Sequence, residues 1–147
     1  MCLELVKTYL KNLSNFMIIE ELIQKDYPLA PLSTYKIGGP AEFFVAVSSQ
    51  EELKGAIAWA KEHSRPITIL GGGSNILIHD QGIKGLVIKL NNNTVIMNDT
   101  AMTVGASANV WTVAETALEK KLSGIEWSIG IPGSMGGAIR GNAGAHG

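Results

Sequence analysis

Pro66-Ile67-Thr68-Ile69-Leu70-Gly71-Gly72-Gly73-Ser74-Asn75 is a short apolar run that passes without a break into three glycines and two small polar residues. Glycine loses more conformational freedom on folding than any other residue, so three in succession need a turn or a ligand to justify them. Successive glycines that reach φ > 0 can direct consecutive N–H groups at one point, the concavity that phosphate oxygens occupy. The Ser74 hydroxyl and the Asn75 amide add oriented donors. The alternative, a tight turn between strands, rarely needs three glycines. The stretch therefore reads as a strand with an anion-binding loop at its carboxyl end, where ligands of open α/β sheets collect. A nucleotide-type cofactor is the first expectation.

Upstream, Glu42 to Val47 is a strand candidate. Ser49 followed by Glu52 forms a capping box that opens a helix to about Glu62, with Leu53, Ala56, Ile57 and Ala60 on its apolar face. This completes a β-α-β unit. Tyr27 to Pro40, with three prolines and two adjacent glycines, reads as extended linker. Ahead of it, Cys2 to Leu13 and Ile18 to Gln24 have helical apolar spacing. Downstream, Leu86 to Leu90, Val95 to Asn98 and Met102 to Gly105 read as strands, the last two as a hairpin. A helix follows with the stripe Val110, Val113, Ala114, Ala117 and Leu118, with Lys120 and Lys121 at its C-terminal end and Gly124 as its stop. Trp59, Trp111 and Trp127, on or beside helices, read as core. The class is α+β in two small lobes.

A second glycine-rich segment, Ile129 to Gly147, has seven glycines in nineteen residues; the two segments together hold ten of the chain's seventeen. Neither matches a common phosphate motif: Gly71 to Asn75 lacks the Lys-Ser/Thr of a P-loop, and Ile76-Leu77-Ile78 does not open an amphipathic helix as the dinucleotide fingerprint requires. Small side chains in the second segment let a flat ring such as an isoalloxazine lie against the main chain. Arg140, the only cation there, is open to three readings: a phosphate partner, a surface residue, or an ion pair with Glu126. His63 at a helix end and His79 in a loop read as structural, and His146 as a wall residue of the site.

Composition narrows the partners. An apolar fraction of 46% with 17% charged residues describes a folded globular domain. Twelve basic against thirteen acidic residues, net charge −1, leave no footprint for nucleic acid. No apolar stretch approaches the roughly 18 residues of a spanning helix, so no membrane partner is expected. Lone Cys2 suggests a free thiol in the cytoplasm. No His/Cys/Asp/Glu cluster has metal-ligand spacing, so no metal is expected, and no Ser-His-Asp order is present.

Ser33-Thr34-Tyr35-Lys36-Ile37-Gly38-Gly39-Pro40-Ala41, Leu70 to Asn75, Gly124-Ile125-Glu126, Ile131-Pro132-Gly133-Ser134-Met135-Gly136-Gly137-Ala138 and Asn142-Ala143-Gly144-Ala145 occur in one order. From about Leu32 to its end the chain resembles the N-terminal part of the UDP-N-acetylenolpyruvoylglucosamine reductase family, flavoenzymes of peptidoglycan synthesis. The resemblance implies a two-lobed FAD-binding fold of the vanillyl-alcohol-oxidase (PCMH) type over residues 30–147, incomplete at its C-terminal end and preceded by a helical segment over residues 1–29. It implies that Gly71, Gly72, Gly73, Ser74 and Asn75 cradle the FAD pyrophosphate. Ile131, Pro132, Gly133, Ser134, Gly136, Gly137 and Ala138 would lie along the flavin and its phosphates, with Asn142, Gly144 and Ala145 nearby and Thr34, Gly38 and Gly39 at the edge of the flavin lobe. It also implies NADPH as hydride donor and UDP-N-acetylglucosamine enolpyruvate as substrate. The family's catalytic arginine, proton-donating serine and late glutamate fall after Gly147, and His146 stands where the family most often has tyrosine. A flavin oxidase or dehydrogenase subunit of the same fold, or a noncatalytic flavin or nucleotide-binding module, are the other readings. With the family's proton donor falling after Gly147, Met1 to Gly147 alone is expected to show no NADPH-dependent reduction of that substrate even with excess FAD, read as NADPH consumption together with product detection.

Overall fold

The computed structural model describes residues 19–145. The helix expected over Cys2 to Leu13, Cys2 itself, and His146 and Gly147 lie outside the described residues. The frame is a four-stranded sheet made of β1 (Gln24–Pro28), β2 (Pro40–Val47), β3 (Ile67–Leu70) and β4 (Ile83–Leu90), in the order β1-β2-β4-β3. β2, β4 and β3 run parallel, and β1 pairs antiparallel with β2. Helix α1 (Gln50–Glu62) carries the chain from β2 to β3. The expected β-α-β unit is therefore split: β4 lies between its two strands, and β3, which launches the glycine loop, stands at the sheet edge. A hairpin of β5 (Val95–Asn98) and β6 (Ala101–Val104), helix α2 (Val110–Glu119) and a short helix α3 (Met135–Arg140) follow in the chain.

Period-two alternation along β2 and β4 gives the sheet two apolar faces. On one, Val45, Val47, Leu86 and Ile88 pack against Ala56, Trp59 and Ala60 of α1 and against Ile19. On the other, Phe44, Val87 and Leu70 pack with Leu29, Ala41 and Ile78. The entry to α1 follows from sequence: Ser49 Oγ accepts the Glu52 N–H at 3.1 Å, and Glu52 reaches back to the Ser49 N–H. His63 closes its last turn, its Nδ1 lying 2.8 Å from the Trp59 carbonyl and its ring stacked on the Trp59 indole.

Several expectations need correction. Gln24 to Pro28, assigned from sequence to the end of a helix and the start of a linker, is edge strand β1, and helix in the preceding residues covers only 19–22 of those described. Its polar sequence hides it, since most of its side chains face solvent; it is held by the ladder to β2 and by Tyr27 stacked on Phe44 at 3.9 Å. β4 begins at Ile83 rather than Leu86, because Gly85 at φ 82 lets its N–H reach Glu42 Oε2 and keeps the strand going. α2 ends at Glu119 and is closed by Lys121, not Gly124: Lys121 takes φ 56, and the Leu122 N–H returns to the Ala117 carbonyl. Leu118, Trp111 and Trp127 are not core. They are 72%, 46% and 41% exposed, while Trp59 is buried.

Leu86→Ala, which empties a fully buried position between the sheet and α1, is expected to lower the unfolding free energy by about 2–5 kcal/mol. Ser49→Ala is expected to cost about 1 kcal/mol. Urea denaturation followed by circular dichroism measures both.

Candidate functional site

The loop after β3 is fixed from behind by an earlier segment. A 3-10 turn over Ala30–Leu32 leads to buried Ser33, whose hydroxyl donates to the Ala30 or Ile37 carbonyl, and the Thr34 N–H then donates to the Gly73 carbonyl at 2.9 Å. Gly73 is obligatory here twice over: its φ is +72°, and a Cβ would stand 2.1 Å from the Leu32 carbonyl oxygen. Gly71 and Gly72 do not share its positive φ, contrary to the expectation of three such residues in succession. They are required by close approach instead. A Cβ on Gly72 would lie 3.0 Å from the Gly133 Cα, and one on Gly71 would lie 2.8 Å from Ser134 Oγ. The contact is reciprocal, because a Cβ on Gly133 would meet Ser74 Oγ at 2.8 Å, and that hydroxyl donates to the Pro132 carbonyl at 3.2 Å.

The second glycine segment, read from sequence as continuous loop, contains α3. Two glycines in a six-residue helix oppose it by propensity, at about 1 kcal/mol each. Capping and tertiary bonds override that cost. Ser134 Oγ accepts the Gly137 N–H, the Met135 N–H donates to the Ala108 carbonyl and the Gly136 N–H to the Ala106 carbonyl. Gly136 is needed for the last of these, since its Cβ would sit 2.9 Å from the Ala106 oxygen. All three first-turn donors of α3 are thus satisfied within the protein. Across from it, the N–H groups of Gly71, Gly72, Gly73, Ser74 and Asn75 meet no protein acceptor among the described residues.

Between the two segments lies a cavity of about 560 Å³, lined on one side by Ile69 to Ile76 and on the other by Ile131 to Ser134, Gly137, Ala138 and Arg140. The size falls within the roughly 300–1,000 Å³ of small-molecule sites. Glycine, alanine and serine make up ten of its seventeen lining residues, and the loop side carries the unpaired N–H groups of Gly71 to Asn75 and the Ser74 hydroxyl. A side chain at Gly71 or Gly72 would run against the facing segment, at Ser134 and at Gly133 respectively. A phosphate-bearing ligand fits that surface: it supplies acceptors to donors that have none, and it needs the backbone bare.

The structure brings Gly71 to Asn75 together with Ile131 to Ser134, Gly137 and Ala138, and leaves the other sequence candidates outside that lining. Gly38 and Gly39 pack on the Ile78–Gly82 turn, where the Gly39 N–H donates to the His79 carbonyl and a Gly39 Cβ would lie 2.0 Å from the Asp80 oxygen. Thr34 acts through its backbone. Asn142 faces a smaller, more apolar cavity of about 290 Å³ with Trp127 and Ile139, and Gly144 stands in open space. Ala145 is part-buried at the end of the described residues. Arg140 lines the main cavity and has no ion pair among the described residues. Glu126 accepts the Gly124 N–H instead, at 2.7 Å, and the N–H groups of Glu126 and Gly124 hold its carboxyl below the usual carboxylate range. Sequence reasoning passed over Lys89, whose Nζ donates to the Gly71 carbonyl. Its signal was available: a single cation inside the apolar run Leu86-Val87-Ile88-Lys89-Leu90.

Residues 41–147 match the FAD binding domain family, and the chain belongs to that family. FAD is accordingly the cofactor of the domain, as the glycine segments and the resemblance imply. Among curated proteins the chain is similar to the UDP-N-acetylenolpyruvoylglucosamine reductases of Acaryochloris marina, 44% identical over 85% of this chain and 42% of the relative, and of Clostridioides difficile, 41% identical over 92% of this chain and 45% of the relative. The crystal structure of UDP-N-acetylenolpyruvylglucosamine reductase from Thermus caldophilus superimposes with a TM-score of 0.70 at 33% identity, over 84% of this chain and 44% of that one. The chain spans less than half the length of these relatives.

Gly72→Val is expected to abolish FAD uptake, because the branched side chain runs into Gly133 and fills the cavity wall, while the circular dichroism spectrum stays near wild type. Flavin occupancy at matched protein concentration, read by absorbance, checks it; unchanged occupancy would reduce the loop to a turn.

Proposed function

We propose that this chain is the FAD-binding part of a reductase that uses NADPH to convert UDP-N-acetylglucosamine enolpyruvate to UDP-N-acetylmuramate, an oxidoreductase of cytoplasmic peptidoglycan synthesis. The observation that carries the reading is the cavity lined by the two glycine segments, in a chain whose relatives bear that reductase's name. Bound FAD supplies the hydride-transfer chemistry that no side chain has. The chain's own part is to hold and orient it. Gly71, Gly72 and Gly73 offer N–H groups, and Ser74 and Asn75 further donors, to the pyrophosphate. Ile131, Pro132 and Gly133 present an apolar surface that excludes water from one side of the cofactor, and Ser134, Gly137 and Ala138 continue it with small side chains. Gly136 serves by letting α3 approach Ala106, and Thr34 by bracing the loop, with Gly38 and Gly39 at the edge of the flavin lobe and Asn142, Gly144 and Ala145 completing the far end of the segment.

The pyrophosphate assignment separates FAD from FMN, which lacks one. Heating the purified protein and separating the released flavin by chromatography is expected to yield FAD; recovery of FMN alone would refute the loop's role. When the surrounding coding sequence is expressed with the chain, NADPH consumption is expected to depend on UDP-N-acetylglucosamine enolpyruvate. Flavin-linked NADPH oxidation indifferent to that compound would point to a different flavoenzyme of the same fold.

A further inference from the structure

Lys89 is the anomaly of the sheet. It stands in β4 opposite Leu70, the last residue of β3, and alternation puts it on the same face as Val87, beneath the start of the glycine loop. It is part-buried, and burial pushes its ammonium below the usual lysine range. Among the described residues it has no carboxylate partner. A partly desolvated cation without a counter-ion is unfavourable unless an anion or strong acceptors compensate it. Its Nζ has one protein acceptor among the described residues, the Gly71 carbonyl.

That bond fixes more than a carbonyl. In a planar trans peptide the C=O of one residue and the N–H of the next point in opposite directions. Holding the Gly71 oxygen toward the sheet therefore turns the Gly72 N–H away from it, on the side where Gly72 lines the cavity and has no protein acceptor among the described residues. The Thr34 N–H does the same two peptides further along: by binding the Gly73 oxygen it turns the Ser74 N–H the opposite way. Two alternate peptides of the loop are thus clamped by donors from outside it. We propose that Lys89 is a positioning residue of the FAD site, which locks the Gly71–Gly72 peptide so that the Gly72 N–H faces a pyrophosphate oxygen and places a positive charge behind it. The proposal rests on the cofactor reading above and adds the residue that organises its donors.

The test uses the full chain freed of flavin, as wild type, Lys89→Met and Lys89→Arg, titrated with FAD and with riboflavin, which lacks phosphate, and followed by flavin fluorescence. Methionine keeps the length of the side chain and suits a sheet face, so the variant is expected to fold. Lys89→Met is expected to weaken FAD binding by about 10- to 100-fold, the size of one hydrogen bond to a charged group, and to leave riboflavin binding unchanged. Lys89→Arg is expected to recover most of the loss. Equal weakening of both ligands would make Lys89 merely structural, and undiminished FAD affinity in Lys89→Met would remove it from the site; either result overturns the proposal and leaves the cofactor reading standing. Wild-type protein that binds FAD no more tightly than riboflavin would overturn the cofactor reading and this proposal with it.

Discussion

The close approach of the two glycine segments, between residues some sixty apart in sequence, is the constraint from which the site follows. A Cβ on Gly72 would stand 3.0 Å from the Gly133 main chain and one on Gly71 2.8 Å from Ser134 Oγ, and Ser74 crosses to Pro132. Side-chain packing tolerates exchange of one apolar residue for another of similar size. The contact of Gly72 with the Gly133 backbone has less slack, because even a methyl group would force the facing main chain to give way. The contact sets the spacing between β3 and α3, and with it the width of the cavity.

The two glycine segments use their freedom differently. In the second, glycine lets α3 come close enough for its first-turn N–H groups to be absorbed by Ala108, Ala106 and Ser134. In the first, glycine keeps the chain thin and its donors unspent. A short helix whose donors are satisfied cannot also be the principal anion site, so the polar recognition of a phosphate falls to the loop after β3 and the apolar contact to the segment facing it.

Much of this was legible in the residues. The capping box at Ser49 and Glu52, the stripe on α1 and the strand running into three glycines are local signals, and each marks its element close to where the structure has it. What the sequence concealed was decided by tertiary contact. β1 is polar and survives on its ladder and one aromatic stack. α3 is rich in glycine and survives on bonds to a loop nearly thirty residues upstream. The reason for Gly72 could not be read as close approach rather than positive φ without knowing that Gly133 lies opposite it. Lys89 was visible as an oddity but silent about its partner, since nothing local says that strand β3 will end beside it.

The split crossover has a consequence for how the molecule comes together. β3 has one strand neighbour, β4, which is made after it, and the loop that β3 launches is completed by Pro132 to Ser134, made later still. No local stretch of chain contains the site, so its donors converge only once long-range pairing is finished, the slow class of folding event. A cofactor that recognises this arrangement binds the finished state alone, and by mass action each tenfold excess over its dissociation constant deepens that state by about 1.4 kcal/mol. Cofactor supply thereby becomes a determinant of how much of the protein persists in the cell.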